Sequence, residues 1–174
     1  MRVNVPKPDP NIVIVDIDEK TLAALAADYG RWPWPRQVLA EFLQNVEAQQ
    51  PKAVVFDVLF SDPDIQNPDS DAYFNETIAG TTNTFFPMLR LDKEHDSLSK
   101  LPAASVPGIM ATELAVKDAT LAMIIPPFAA TQQPGRLGTH NVYPDSDGVV
   151  RRYPVRLDAQ GWQLPSLPYV VARA

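Results

Sequence analysis

The sequence predicts an α/β domain with a mixed, partly parallel central sheet, flanking helices and a C-terminal antiparallel hairpin. Three observations predict it. Asn11–Asp18 holds four consecutive β-favouring aliphatics and ends in two carboxylates, Asp16 and Asp18, the pattern of a strand buried on both faces. A second apolar run, Ala53–Phe60, follows after two stretches of helical spacing, so the two strands form a right-handed crossover and lie parallel. Near the C-terminus, Arg136–Tyr143 and Val149–Leu157 flank the polar turn Pro144-Asp-Ser-Asp-Gly148, the signature of a hairpin.

The elements follow in order. Residues 1–10 contain three prolines and little apolar content and are expected to be a linker or extended edge segment, with 11–174 as a single domain. After the strand Ile12–Ile17, Asp18 is placed to cap a helix over Glu19–Tyr29, whose Leu22, Leu25, Ala26 and Tyr29 share a face and which Gly30 stops. Arg31-Trp32-Pro33-Trp34-Pro35-Arg36 cannot continue a helix, and its prolines keep it extended and stiff. A second helix runs from Pro35 or Arg36 to about Gln49 on an apolar stripe of Val38, Leu39, Phe42, Leu43 and Val46. The second strand occupies Lys52–Phe60, interrupted by Asp57. Ser61–Ser70 reads as a loop, Asp71–Ala79 as a helix and Thr84–Leu91 as a strand. Asp92–Gly108 carries little signal. Ile109–Lys117 and Ala119–Ile125 are short apolar runs open to either helix or strand. Phe128–Gln133 reads as a short helix. Asp158–Gly161 is a turn, and Ser166–Ala174 begins a helix that reaches the last residue, as in a piece cut from a longer protein.

Composition narrows the function. The chain has 174 residues and a formal net charge of -6. No basic stripe is wide enough to follow a phosphate backbone, so no nucleic-acid partner is expected. The absence of cysteine excludes disulfides, iron–sulfur clusters and thiolate zinc sites. The two histidines, His95 and His140, lie far apart in sequence. Met1–Pro6 lacks the apolar core of a signal peptide, and no stretch has the length and apolarity of a membrane span. The chain is thus expected to be soluble, or the soluble piece of something larger.

The candidate chemistry gathers at the strand ends. Two residues two apart on a strand share a face, so Asp16 and Asp18 would face the crevice where open α/β sheets bind ligands, with Asp57 beside them if the strands are neighbours. Carboxylates so gathered need a cation, either a divalent metal or an arginine, for which Arg36, Arg151 and Arg152 are the candidates. Two plainer roles stand beside this one: Asp18 as a helix cap, and Asp16 as a carboxylate paired with an arginine. Trp32 and Trp34 serve either to stack on a ligand or to cover the sheet end. Asp16-Ile17-Asp18-Glu19-Lys20-Thr21 resembles the Asp-x-Asp-x-Thr of haloacid-dehalogenase-type phosphatases, which use magnesium, but Lys20 stands where Thr or Val is needed. Asp145-Ser146-Asp147-Gly148 begins like a calcium loop but lacks the later Glu. No Walker loop, Gly-x-Ser-x-Gly, Gly-x-Gly-x-x-Gly or His-Glu-x-x-His is present, and no cofactor is expected.

Taken together, Val-Asp-Ile-Asp at 15–18, Arg-Trp-Pro-Trp-Pro-Arg at 31–36, Ala-Val-Val-Phe-Asp-Val-Leu-Phe at 53–60 and Asp-Ser-Asp-Gly-Val-Val-Arg-Arg at 145–152 resemble the second family of CHASE domains over about residues 11–174. The resemblance implies a ligand-sensing module outside the cytoplasmic membrane of bacteria, without catalysis of its own. It also implies an N-terminal membrane helix before it, several more after it, and a cytoplasmic adenylate or diguanylate cyclase, histidine kinase or Ser/Thr kinase as output. A homodimer is expected from that architecture. The residues matching its recurring motifs, as ligand contacts or as braces of the fold, are Asp16, Asp18, Trp32, Trp34, Arg36, Asp57, Asp147 and Arg151. A magnesium-dependent phosphatase built on Asp16 and Asp18, and a structural spacer or dimerisation module, are the alternatives.

Overall fold

A computed structural model describes residues 7–174; most of the segment expected to be a linker, residues 1–6, lies outside the described residues. The chain divides into two compact units, Met1–Trp34 and Pro35–Ala174.

In the first unit the helix α1 spans Glu19–Tyr29. Its start is set by Asp18, whose carboxylate accepts the Thr21 N–H and the Thr21 hydroxyl, both at 2.8 Å. Its end is set by Gly30, at φ 74°, a backbone conformation that favours glycine. The expected strand Ile12–Ile17 is not formed. These residues pair with no strand among the described residues, and Ile12–Val15 are 63–86 % exposed. Strand propensity records the fit of a side chain to a sheet surface; with no ladder to receive its N–H and C=O groups, an aliphatic run stays irregular. The inference that Asp16 and Asp18 share one face of a buried strand falls with it.

The second unit is built around β2, Thr84–Arg90. β1 (Val54–Val55) pairs with it in parallel at Thr84 and Phe85. β5 (Leu137–Thr139) pairs in parallel at Phe86, Pro87 and Met88. β4 (Met123–Ile124) pairs antiparallel at Leu89 and Arg90. Pro87 sits in the middle of this central strand without an N–H to donate. Phe85 O accepts the Phe56 N–H on the β1 side, and the Leu91 N–H donates to Ala122 O on the β4 side. By alternation Pro87 belongs to that same side, in the gap where β1 has ended and β4 has not begun. The mixed, partly parallel sheet is thus present, but the strand expected over Lys52–Phe60 is only two residues of ladder.

Two helices cover the sheet. α2 spans Arg36–Glu47 and buries Leu39 and Leu43 of the expected stripe, together with Ala40. α3 spans Pro68–Ala79, longer than expected because Pro68 opens it and Asp69 and Asp71 occupy its first turn. Behind them Phe56, Phe60, Phe74, Phe86 and Phe128 form a ring cluster. Phe56 and Phe86 stack with centroids 5.0 Å apart, and Phe74 meets Phe128 edge to face at 5.2 Å. Arg136, only 5 % exposed, donates to Ile78 O, Thr81 O and the Thr81 hydroxyl, satisfying carbonyls at the end of α3. Its burial lowers its own affinity for a proton. Between β2 and β5 lie three short 3₁₀ helices, Lys93–Leu98, Ala103–Ser105 and Ala129–Gln132.

The C-terminal antiparallel hairpin exists, but not where the sequence places it. It joins β6 (Arg156–Ala159) to β7 (Trp162–Pro165), with β3 (Met110–Ala111) on the outer side of β7. Its two-residue turn is Gln160–Gly161, with φ 54° and 80°, the doubly positive geometry whose twist matches that of paired strands. Residues 149–155, expected as the return strand, are irregular; Pro154 removes a ladder donor there. A Cβ at Gly161 would lie 2.4 Å from Leu114 O. Gly161→Ala is therefore expected to lower stability by about 2 kcal/mol, read from urea unfolding; the exposed Leu114 loop gives way and limits the loss. α4, Leu167–Arg173, follows with Ser166 as its cap.

Candidate functional site

One polar group of the second unit lies where its parallel strands end. Phe56 makes the last backbone bond of the β1 ladder, so the next residue, Asp57, leaves the sheet with its side chain 77 % exposed. On the other side of β2, the His140 N–H donates to Met88 O and ends the β5 ladder. The two side chains meet across β2, with Asp57 Oδ1 3.4 Å from His140 Nε2. Tyr153 closes the group. Its hydroxyl donates to Thr139 O at 3.2 Å, and burial together with the nearby Asp57 charge raises its pKa above the ordinary phenol value.

This group sits directly on the start of α4. Thr139 bridges to Ser166, and its hydroxyl donates to Pro165 O at 3.3 Å. The preceding Gly138 packs backbone against backbone: a Cβ there would lie 2.4 Å from Leu167 Cα. Asn141 prolongs β5 with its side chain, accepting from Arg90 N at 2.9 Å and donating to Arg90 O at 2.7 Å. A displacement at His140 or Tyr153 therefore has a short, stiff path to the last helix.

Three other groups hold the remaining motif residues. Arg36, at the first position of α2, pairs with Asp71 of α3 at 2.9 Å, donates to Asp62 O at 2.6 Å and lies over the rings of Phe60 and Phe128. Asp71 in turn accepts the Asp64 N–H at 2.7 Å. An open groove of ≈ 280 Å³ runs beside this brace, lined by Pro63, Asp71, Ala72, Asn75, Pro127, Phe128 and Ala129. In the polar turn, Asp147 takes a two-pronged contact from Arg151 at 2.7 and 2.9 Å, while Asp145 accepts from Arg152 at 2.6 Å and from Arg151 at 3.3 Å. The Arg151 contacts, with the Val149 N–H, hold Asp147 below the usual carboxylate range and raise Arg151. Two acids and two bases thus neutralise one another within eight residues of chain.

The fourth group lies in the first unit. Trp32 and Trp34 meet edge to face with centroids 5.2 Å apart, and Tyr29 lies 6.4 Å from Trp34. Trp32 is half-exposed. Trp34 is buried, and its indole N–H has no partner among the described residues, an arrangement that costs about 1–3 kcal/mol. Asp16 is exposed. Asp18 serves as the cap described above, and the Thr21 contacts hold it below the usual carboxylate range.

The structure thus joins Asp57 to His140 and Tyr153, which sequence reasoning did not select, and gives Arg36 to Asp71 and Arg151 to Asp147. The signal for His140 was its position directly after a strand, opposite the residue following the other parallel strand. Among the described residues no three His, Asp or Glu side chains are grouped to hold a metal ion, and no helix is long and apolar enough to cross a membrane. No curated protein and no solved structure matches the chain. The model of the CHASE2 domain matches residues 1–174, so the chain belongs to the CHASE2 family, the extracellular sensory domains of signalling receptors.

Proposed function

We propose that this domain is the ligand-sensing input of a bacterial transmembrane receptor. A membrane helix precedes it and further membrane helices follow it on the same chain. The output is a cytoplasmic adenylate or diguanylate cyclase, histidine kinase or Ser/Thr kinase, the receptor is a homodimer, and the input transforms no substrate. The observation that carries this reading is the contact between the start of α4 and the strand β5, one residue from the Asp57–His140–Tyr153 group. A ligand that binds one arrangement of that group better than another shifts the population of α4 positions by its difference in affinity. The orphaned Trp34 N–H is a second place where a ligand acceptor would be received.

The test compares output turnover in membranes carrying the full-length receptor as wild type, as His140→Gln and with Trp32–Pro35 deleted. Both changes are expected to shift receptor output severalfold while the isolated output domain keeps its turnover. Equal output from all three overturns the reading. So does phosphomonoester hydrolysis by the purified domain that Asp16→Asn abolishes.

A further inference from the structure

A cluster on α4 lies outside every motif described above. Tyr169 sits between two guanidinium groups. Arg156, from β6, donates from Nη2 to the phenolic oxygen at 2.6 Å, and Arg173, one turn along α4, donates from Nη1 at 2.9 Å. Both guanidinium carbons also lie against the ring, 4.9 and 5.7 Å from its centroid. Two cations therefore converge on one oxygen in a chain of net charge -6. Elsewhere Arg36, Arg90, Arg151 and Arg152 each take a carboxylate; among the described residues Arg156 and Arg173 take none. Asp158, two residues from Arg156, is engaged by Gln163 Nε2 at 2.8 Å and by the Gly161 N–H.

Like charges held on a shared acceptor repel unless an anion joins them. Each guanidinium has five N–H donors in a flat fork, and here each spends one on Tyr169. The phenol accepts from both, so its own O–H is free to donate outward. The two arginines hold the phenol pKa below its ordinary value. Forked guanidinium donors beside a hydroxyl suit a tetrahedral oxyanion, whose oxygens accept from several directions at once. We propose that Arg156, Tyr169 and Arg173 bind a phosphate group, carried by a soluble phosphate ester or by a phospholipid headgroup. Such a ligand would tie β6 to α4. The proposal names a ligand class for the sensory input and rests on that reading, while its test measures binding alone.

Purified domain is titrated with inorganic phosphate at constant ionic strength, as wild type, Arg156→Gln, Arg173→Gln and Tyr169→Phe. Binding is followed by calorimetry and by the alkaline absorbance transition of tyrosinate, taken as wild type minus Tyr169→Phe. Saturable binding is expected, with the Tyr169 transition moved to higher pH because the anion takes up the guanidinium charge. Each arginine change is expected to weaken binding about tenfold. Sedimentation with phosphatidylglycerol against phosphatidylcholine vesicles separates the sources: phosphate binding alone assigns a soluble ester, and arginine-dependent binding to the anionic vesicles assigns a headgroup. The three side chains lie at the surface, so circular dichroism is expected to report an unchanged fold. Binding in neither arm, or binding that both arginine variants retain, overturns the site; the output comparison in the full-length receptor decides the sensory reading separately.

Discussion

Gly138→Ala is expected to lower the stability of the domain by about 3 kcal/mol and its thermal midpoint by roughly 6–12 °C. The added Cβ would lie 2.4 Å from Leu167 Cα, 2.5 Å from Leu167 N and 2.7 Å from Ser166 C, and none of these backbone atoms is free to retreat. The Ser166 N–H donates to Val155 O at 3.0 Å, the Ser166 hydroxyl caps α4, and Leu167 and Val170 are buried with Phe85. The methyl group therefore lifts α4 from β5 or bends β5 away from β2. Gly80→Ala is the control. Gly80 has φ -74°, and the nearest atom to its added Cβ is 3.4 Å away, so this change is expected to stay within about 0.5 kcal/mol of wild type. Equal urea midpoints for the two variants would show that the Gly138 contact yields without cost.

Asp96→Asn is expected to cost about 3 kcal/mol at pH 7. Asp96, in the first 3₁₀ turn after β2, is buried and fully engaged. One oxygen accepts from Arg90 Nη2 at 2.6 Å and Gln160 Nε2 at 3.1 Å, the other from the Ala122 N–H at 2.8 Å. Arg90 also donates to Leu91 O and Ala122 O, so one ion pair ties the end of β2 to β4 and to the β6–β7 turn. The asparagine amide would turn donors toward Arg90 and leave a buried guanidinium without its counter-charge. Burial pushes the Asp96 pKa up, but the Ala122 N–H, Arg90 and Gln160 together outweigh it and bring it below 3.8. A carboxylate lowered in the folded state adds stability above its unfolded value and loses it as pH falls through the folded value. The advantage of wild type over Asp96→Asn is thus expected to be equal at pH 7 and pH 5, and to shrink below about pH 3.8, read from urea unfolding across that range. An advantage that persists unchanged at pH 2 would show that Asp96 acts by shape and not by charge.

Helices were the legible part of this fold. α1 has the expected bounds because Asp18 and Gly30 act through local chemistry, and α2 follows its apolar stripe because that stripe has a sheet to cover. Strands were less legible because a strand is completed by a neighbour. Asn11–Asp18 has every local mark of a buried strand and pairs with none among the described residues, whereas the three-residue β5 is fixed by the ladder of β2. The hairpin moved for a similar reason: Asp145–Gly148 has turn chemistry, but only Gln160–Gly161 combines a tight turn with flanking residues free to pair. At the candidate site, Asp57 stood out as a charge in an apolar run, while its partner His140 lies 83 residues later and follows from the order of strands around β2. The CHASE2 resemblance rested on motif order, which survives even where the secondary structure differs.

Pro87 divides the central strand into two separately bonded lengths, with β1 attached to the first and β4 to the second. Either ladder can open while the other holds, as expected of cooperative blocks of unequal strength. Only β5, on the opposite side, runs across the division, and it does so with three residues. Those three are therefore the strap of the domain: loosening them leaves the two lengths of β2 without a shared neighbour and removes the backbone seat of α4 at Gly138, while Leu167 and Val170 keep their packing on Phe85.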